Sequence, residues 1–400
     1  MRRTILTLLA FFGLAYCTMA QNFTTPGIIR ETRETHRYCG FVKYDGTVVV
    51  KPIYLEAQDF SEGLAAVQDT NKRWGFINTS GKRVFVLPAS VKQVGDFHEG
   101  LCWFRDKESK KVGYIDRTGN VVIRPQWDYA LDFNDGLAAV GEGRNMGETF
   151  YQPGRMIGYI DHTGNVVLPI NVEEYFGDNY KRADFSCGRA ILQDSDGVII
   201  IDTKGNELFG GKYRKADIFS EGLCCVGEAL NEPCNAGRGD KHLPDCKMRW
   251  SIIDTAGKAV LDHRAGLFRE GVAFWWRSGG GVHLDENNTV TSTYGDYIYI
   301  DTTGRQIIER HFKDANNFQE GLAYVTEMDG TKGFIDHTGK MVIELPEGYV
   351  TYNGGGFKNG MVTIWERTQT NDGKATRYDE EVWNRDGMML WRDSYTVHFR

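Results

Sequence analysis

The feature that most constrains this chain is an internal repeat: one short phrase occurs eight times along its 400 residues. Where the phrase first occurs, at Phe60, it reads Phe-Ser-Glu-Gly-Leu-Ala-Ala-Val. The other copies begin at Phe97, Phe133, Phe185, Phe219, Phe268, Phe318 and Phe357. A repeat of about 40 residues that recurs this often indicates stacked copies of one supersecondary unit, each of which buries its apolar surface against its neighbours.

A second phrase lies between the copies of the first. It consists of an apolar segment, Asp-x-x-Gly, and another apolar segment, which predicts a β-hairpin. The Asp side chain can accept a backbone N–H two residues on, and the glycine can adopt the positive φ that a type I turn with a G1 bulge requires. The predicted turn-forming pairs are Asp116 and Gly119, Asp161 and Gly164, Asp202 and Gly205, Asp254 and Gly257, Asp301 and Gly304, and Asp336 and Gly339.

The first phrase predicts a strand with one tightly packed face. The residue after Gly-Leu is always small, and Cys102 and Cys224 fit there as compact hydrophobic residues. The next position varies freely, from Ala66 to Trp103 and Phe274, so we interpret it as an outward position at which a repeat protein can encode specificity. Trp103 and Phe274 are therefore candidate binding residues.

Each unit is thus predicted to be a three-stranded meander, a strand followed by a hairpin, in an all-β chain. Tandem meanders of this length form either a closed β-propeller or an open array. The hairpin at 40–50 lacks a preceding Gly-Leu strand, whereas the last unit is complete through Trp391, so the two ends do not obviously complement each other. We therefore expect an open or superhelical β-solenoid over residues 38–400, with a closed β-propeller-like array as the alternative.

The first twenty residues have the three parts of a secretory leader. Two arginines are followed by an apolar run from Ile5 to Ala15 and by a short segment that ends at Ala20. We predict a signal peptide over 1–20 and a linker over 21–37, and hence a location in the periplasm, at the cell surface or outside the cell. Lipoprotein anchoring at Cys17 is less favoured, because Tyr16 stands where a small residue is needed. No later apolar run is long enough to predict a transmembrane segment.

Three insertions interrupt the repeat, near 142–155, 231–248 and 278–296. Cys234 and Cys246 bracket the polar loop of the second, which predicts a disulfide in an oxidising compartment. Zinc held with His242 is the alternative, although no second cysteine pair stands at ligand spacing. Seven cysteines remain after leader removal, an odd number, and the pattern assigns no partners to Cys39, Cys187 and Cys225.

Chemistry-bearing residues are sparse. The formal net charge of −7 argues against a nucleic-acid partner. The acids before the repeat glycine share one context and predict solvated turn residues, whereas a glycosidase needs two carboxylates in different environments. They are Glu62, Glu99, Asp135, Glu221, Glu270 and Glu320. We predict no catalytic residue, no metal site and no cofactor.

Trp276 is the most suggestive single residue. It follows Trp275 and precedes the 278–296 insertion. Adjacent strand residues point to opposite faces, so if Trp275 fills a core position then Trp276 points outward. An outward tryptophan can contact a sugar ring or a partner's apolar patch. Trp276 is therefore the third candidate binding residue.

These phrases resemble the WG-repeat family, whose units read approximately F-x-x-G-L-A-x-V, a short gap, and W-G-[FY]-I-[DN]-x-x-G-K. The segment from Trp74 to Lys82 matches nearly letter for letter, and the likeness extends over roughly 39–391. Val112, Ile157 and Lys332 stand where the family has tryptophan. The resemblance implies a β-rich bacterial repeat scaffold that acts as an interaction module and brings no catalytic residues.

Together these expectations describe an exported, non-enzymatic scaffold that mediates protein or glycan interactions in the bacterial cell envelope. The alternative is a hydrolase whose site is assembled on the insertion loops. The two differ in what the loops must supply: a hydrolase needs a nucleophile or paired acids, and a binding protein needs only exposed aromatic and polar groups.

Overall fold

A computed structural model provides the coordinates of the chain. The structure describes residues 23–33, 36–143, 154–174, 183–193, 197–230, 248–277, 282–284, 290–293, 296–351, 355–369 and 375–398. Within these ranges the regular structure consists of 34 β-strands and one short 3-10 turn, Phe209–Gly211. The predicted all-β class is therefore correct for the described part of the chain.

The repeating unit is a four-stranded antiparallel blade, whose strands we call a, b, c and d in chain order. In blade 1 these are β4 (Glu56–Ala57), β5 (Leu64–Gln68), β6 (Trp74–Asn78) and β7 (Arg83–Val86). Strand b contains the Gly-Leu phrase, and strands c and d form the Asp-x-x-Gly hairpin. The predicted three-stranded meander lacked strand a, because a two-residue strand is too short to show periodicity in a sequence.

Seven further blades follow in the described residues. Blade 2 comprises β8 (Val91–Val94), β9 (Leu101–Asp106), β10 (Val112–Asp116) and β11 (Val121–Trp127). Blade 3 comprises β12 (Tyr129–Ala130), β13 (Ala138–Glu142), β14 (Gly154–Ile160) and β15 (Val166–Glu174). Blade 4 comprises β16 (Arg189–Gln193), β17 (Val198–Asp202) and β18 (Glu207–Leu208). Blade 5 comprises β19 (Lys215–Ala216), β20 (Leu223–Ala229), β21 (Met248–Asp254) and β22 (Ala259–Leu261). Blade 6 comprises β23 (Val272–Arg277) and β26 (Asp296–Asp301). The hairpin of β24 (Val282–Leu284) and β25 (Val290–Thr293) is inserted between β23 and β26. Blade 7 comprises β27 (Phe312–Ala315), β28 (Ala323–Glu327), β29 (Lys332–Ile335) and β30 (Met341–Glu344). Blade 8 comprises β31 (Val350–Thr351), β32 (Met361–Gln369), β33 (Ala375–Asn384) and β34 (Met389–His398).

A three-stranded N-terminal meander precedes blade 1. It consists of β1 (Gly27–Arg33), β2 (His36–Val42) and β3 (Val48–Tyr54). Strand β1 lies inside the segment that we expected to be a linker, 21–37. The strand was not recognised because it lacks the Phe-x-x-Gly-Leu phrase and its strongly apolar residues are limited to Ile28 and Ile29.

Neighbouring sheets stack face to face, so both faces of strand b are buried. In blade 1, Ala65 and Val67 pack against the N-terminal meander, while Leu64 and Ala66 pack against blade 2. Our interpretation of the variable position as outward is therefore wrong: Ala66 is 1% exposed and Cys225 is 3% exposed. The residue at this position varies because it packs against a different neighbour in each blade.

The stack closes on itself. On the far side of the meander, Ile29 and Val42 share an apolar cluster with Met361 and Val382 of blade 8. The expected open or superhelical solenoid is therefore wrong, and the chain forms a closed β-propeller. Eight blades contain the repeated turn, and the N-terminal meander lies between blade 8 and blade 1. Strand β1 is the strand that precedes the hairpin at 40–50 and that the sequence pattern did not reveal.

Candidate functional site

The propeller has two chemically different faces. Because strands a to d run alternately up and down, every a–b turn and c–d turn lies on one face, which we call the turn face. The b–c loops lie on the opposite face, the loop face. The three expected insertions, near 142–155, 231–248 and 278–296, all fall between strands b and c, in blades 3, 5 and 6. The ends of strands b and c on either side of each insertion therefore lie on the loop face.

Trp276 lies where the longest insertion begins. It is the penultimate residue of β23, and its side chain is 49% exposed. Its neighbour Trp275 is half-buried between blades 5 and 6 and stacks on His263, with ring centroids 4.2 Å apart. Among the described residues, Trp276 is the one Phe, Trp or Tyr side chain that is exposed.

Further aromatic and polar groups surround this strand end. On the side of blade 6 that faces blade 7, Trp276 is paired in register with Tyr297, and His311 Nδ1 lies 2.5 Å from Asp296 Oδ1. On the side that faces blade 5, the Arg264 guanidinium lies 4.5 Å from the centroid of the Trp250 ring. The loop face of blades 5 to 7 thus presents flat apolar rings beside a cation and hydrogen-bonding groups, a combination suited to binding a partner.

Trp103 and Phe274, the other two candidate binding residues, have packing partners within their own blades. A Cβ placed on Gly95 would lie 2.1 Å from Trp103 Nε1, and one placed on Gly266 would lie 2.5 Å from the Phe274 ring. Each aromatic ring therefore covers a glycine at strand a of its own blade, and both residues are only partly exposed. A binding role for them stays a prediction.

The Asp-x-x-Gly residues form the c–d turns of the turn face. In each turn the Asp Oδ1 accepts the backbone N–H two residues on, at 2.8 to 2.9 Å: Thr118 to Asp116, Thr163 to Asp161, Lys204 to Asp202, Ala256 to Asp254, Thr303 to Asp301 and Thr338 to Asp336. The six glycines have φ between 79° and 88°. Hydrogen bonds from Thr118 help to hold the pKa of Asp116 below its usual value. These acids are occupied in shaping turns.

The acids of the a–b turns bind the next blade, a role that sequence reasoning missed. Each carboxylate accepts a hydrogen bond from the backbone N–H of the glycine in the following a–b turn, a contact that we call the acid–glycine clasp. The pairs are Glu62 with Gly100, Glu99 with Gly136, Asp135 with Gly188, Glu221 with Gly271, Glu270 with Gly321 and Glu320 with Gly360. Their regular spacing beside glycine was the available signal, but the partner lies 37 to 53 residues away in the next repeat.

Basic residues reinforce three of these clasps. Glu62 also pairs with Arg117 at 3.1 Å, Glu99 with His162 at 3.1 Å and Glu270 with His337 at 3.3 Å. Burial raises the pKa of Glu270, but hydrogen bonds from His337 and from the Gly321 amide outweigh it and hold that pKa below its usual value. In blade 4 Cys187 replaces the acid, and its Sγ accepts the Gly222 N–H at 3.4 Å.

The cysteines divide by burial. Cys39, Cys102, Cys224 and Cys225 are buried, Cys187 is exposed, and all five are free thiols. Burial raises the pKa of Cys102 well above its usual value, as expected of a compact core residue. Cys234 and Cys246, the predicted disulfide pair, lie outside the described residues. Within the described ranges no cluster of three or more His, Cys, Asp or Glu could hold a metal ion. In that same part of the chain, no helix is both long and apolar enough to cross a membrane.

Comparison with solved structures finds distant likenesses to propellers. BamB from Moraxella catarrhalis is 11% identical, with a TM-score of 0.40 over 86% of this chain and 96% of that one. The WD40 β-propeller domain of Doa1 is 10% identical, with a TM-score of 0.28 over 85% of this chain and 90% of that one. Similarities this weak do not assign a function. No curated protein matches the sequence.

Comparison with family models gives a clear result. The model of the WG containing repeat matches the chain six times, at residues 40–72, 74–110, 113–143, 157–193, 200–227 and 299–330. These matches run from the N-terminal meander through blade 6 and into blade 7. The chain therefore belongs to the family of WG containing repeat proteins.

Proposed function

We propose that this protein is an exported, non-enzymatic scaffold of the bacterial cell envelope that binds a partner protein on its loop face, with Trp276 as the central contact. The closed repeat propeller is consistent with an interaction scaffold. The observation that carries the proposal is Trp276 itself, whose side chain is 49% exposed, whereas the other Phe, Trp and Tyr side chains of the described residues are buried or partly buried.

The chemistry around Trp276 favours a protein partner. Interfaces are enriched in Trp, Tyr and Arg, and their binding energy concentrates in a few such anchors. Tyr297 and Arg264 lie on either side of the strand that holds Trp276, and the insertion of blade 6 begins one residue after that strand ends. Loops that a rigid scaffold positions in this way are where binding residues concentrate.

The test compares Trp276→Ala with a matched surface variant, Met388→Ala. Met388 is 46% exposed and follows the c–d turn glycine of blade 8 on the opposite face. We expect Trp276→Ala to reduce capture of a specific envelope protein by roughly tenfold or more, as for an interface anchor, with an unchanged melting temperature. Met388→Ala should capture normally.

Two results would contradict this proposal. If Trp276→Ala lowers the melting temperature clearly, the ring is a packing residue and the proposal loses its contact. If the protein captures glycans on an array but no envelope protein, the class of partner is wrong.

Export is tested separately. The leader at 1–20 supports it, because the arginine pair, apolar run and small-residue end match a cleavable signal. N-terminal sequencing of exported material should begin at or near Gln21. Retention of Met1 on the mature protein would contradict cleavage.

A further inference from the structure

In most blades, strand a covers the inner edge of strand b. A backbone N–H in or next to strand a donates to the carbonyl of one fixed position of strand b at 2.8 to 3.0 Å. The pairs are Gln58 to Ala66, Gly95 to Trp103, Leu131 to Ala139, Asp217 to Cys225, Gly266 to Phe274 and Asn316 to Tyr324. The repeated partner of this carbonyl is thus an extended backbone.

In the N-terminal meander, the position that matches Ala66 is Ile28. Gly27 pairs with Val42 just before a c–d turn, as Ala65 pairs with Ile77 in blade 1, so β1 is a strand b. Among the described strands β1 is paired only with β2, on its outer side. A strand a in this place would precede Phe23, where the described residues begin.

Side chains from blade 8 cover only the far half of this inner edge. Trp391 Nε1 donates to the Arg30 carbonyl at 2.6 Å, and Asp393 accepts the Thr32 N–H at 2.9 Å. Backbone groups of alternate residues point to the same edge of a strand, so the Ile28 carbonyl points the same way as those of Arg30 and Thr32.

The near half of the edge faces a cavity of about 220 Å³. Ile28 and Arg30 line one side, and Gly355, Gly356 and Thr363 line the other. Asp59, Lys358 and Met361 also line the cavity. The two glycines carry no side chain, which lets another backbone approach closely at their positions.

We propose that this edge binds an extended peptide segment of a partner protein, which takes the position of strand a and donates a backbone N–H to Ile28. Strand addition of this kind draws its affinity from main-chain hydrogen bonds and tolerates varied sequences. In the described part of the chain four strands a have only two residues, which shows how short such a segment needs to be. The site lies at the junction of blade 8 and the N-terminal meander, apart from Trp276, and does not depend on the proposed loop-face function.

The direct test uses a fluorescent peptide with the sequence of residues 312–318, Phe-Lys-Asp-Ala-Asn-Asn-Phe, which contains strand a of blade 7. Its matched control is N-methylated at the residue equivalent to Asn316, because that N–H is the one donated to strand b. Fluorescence anisotropy with the purified protein should show saturable binding of the first peptide and about tenfold weaker binding of the second, as expected for loss of a main-chain hydrogen bond. No saturable binding, or equal binding of both peptides, overturns the proposal.

A protein variant locates the site. Thr363 occupies the position in blade 8 that Trp103 occupies in blade 2, and Gly355 corresponds to the glycine under Trp103. Thr363→Trp should therefore fill the cavity and abolish peptide binding, whereas the equal-sized Thr363→Val should bind normally. Undiminished binding by folded Thr363→Trp overturns the assignment, and if that variant does not fold, the N-methyl comparison on the native protein decides.

Discussion

The junction between blades 6 and 7 and the junction between blade 8 and the N-terminal meander, which closes the ring, are stabilised by different interactions. Between blades 6 and 7, buried aromatic residues such as Tyr299, Phe312 and Phe318 form a large apolar cluster, and Glu270 clasps Gly321. At the closing junction the described apolar cluster has four buried members, Ile29, Val42, Met361 and Val382. An ionic network supplements them.

That network joins residues far apart in sequence. Arg37 pairs with Glu380 and lies 3.6 Å from Asp393, and Arg30 lies 3.5 Å from Glu380. The two acids are nearly inaccessible, with side chains 5% and 6% exposed. Burial opposes the charge of Arg37, but the hydrogen bond to Glu380 and the nearby charges of Glu380 and Asp393 together outweigh burial and raise the pKa of the guanidinium.

The two junctions differ because a repeated turn can stabilise only junctions at which both neighbours contain that turn. At six of the seven junctions between blades 1 and 8, one a–b turn supplies the acid and the next a–b turn supplies the glycine. At the junction of blades 4 and 5, Cys187 takes the place of the acid. The N-terminal meander has no a–b turn in the described residues, so the last turn acid position, Asn359, has no following glycine to clasp. The closing junction therefore depends on residues that do not recur in the other units. Its Arg–carboxylate pairs have a defined geometry and so fix the orientation of the N-terminal meander relative to blade 8.

The largest expected effect comes from removing an aromatic ring at the junction of blades 6 and 7, where β26 also pairs with β27. Phe318 is 0% exposed, so Phe318→Ala should lower the free energy of unfolding by about 3–5 kcal/mol. Met361→Ala, in the smaller closing cluster, should cost about 2 kcal/mol, at the low end for such a truncation. Denaturant unfolding measures both, and an equal or greater loss for Met361→Ala would remove the contrast between the junctions.

The next effect tests the ionic network. Arg37→Ala leaves buried Asp393 without a guanidinium and leaves Glu380 with only the longer contact to Arg30. It should cost about 2 kcal/mol, less than for a fully buried pair because part of Arg37 is exposed. The control is Arg249→Ala, whose pair with Asp262 is largely exposed and should contribute well under about 1 kcal/mol. Equal melting temperatures for the two variants would show that the network does not hold the closing junction.

A smaller effect, with a defined pH dependence, tests the clasp. The folded-state pKa of Glu270 is lowered, so its contribution is present above the unfolded pKa of about 4.3 and is lost as pH falls through the folded pKa. At pH 7, Glu270→Gln should be less stable than the wild type by about 1 kcal/mol, the scale of one charge-assisted hydrogen bond. The difference should shrink below about pH 4. A difference that does not change between pH 7 and pH 3 would contradict the clasp.

An element of this fold could be predicted from the sequence when the residues that form it lie close together along the chain. Asp116 and Gly119 lie three residues apart and shape their own turn, so the hairpins could be read from the sequence. Strands a are too short to show periodicity, and β1 contains only Ile28 and Ile29 as a strong apolar signal. Closure was missed because Arg37 and Glu380 are 343 residues apart and neither belongs to a repeated phrase.

The candidate site residues likewise include some whose position depends on sequence neighbours and some whose contacts depend on distant strands. Adjacent residues alternate across a strand, so the sequence alone predicted that Trp276 would point away from Trp275. The clasp partner of Glu62 and the glycines beneath Trp103 and Phe274 depend on which strands become neighbours. Those contacts could not be read from composition or spacing.

Closure of the ring is tested most directly by a zero-length carbodiimide crosslink on the native protein. Lys358 Nζ lies 2.8 Å from Asp59 Oδ2, which joins blade 8 to blade 1 across 299 residues. Lys111 and Asp128, also 2.8 Å apart, provide the matched local control. A closed ring predicts that mass spectrometry of the monomer finds both crosslinked peptides. If the Lys111–Asp128 link forms and the Lys358–Asp59 link does not, the ring is open and the account is contradicted.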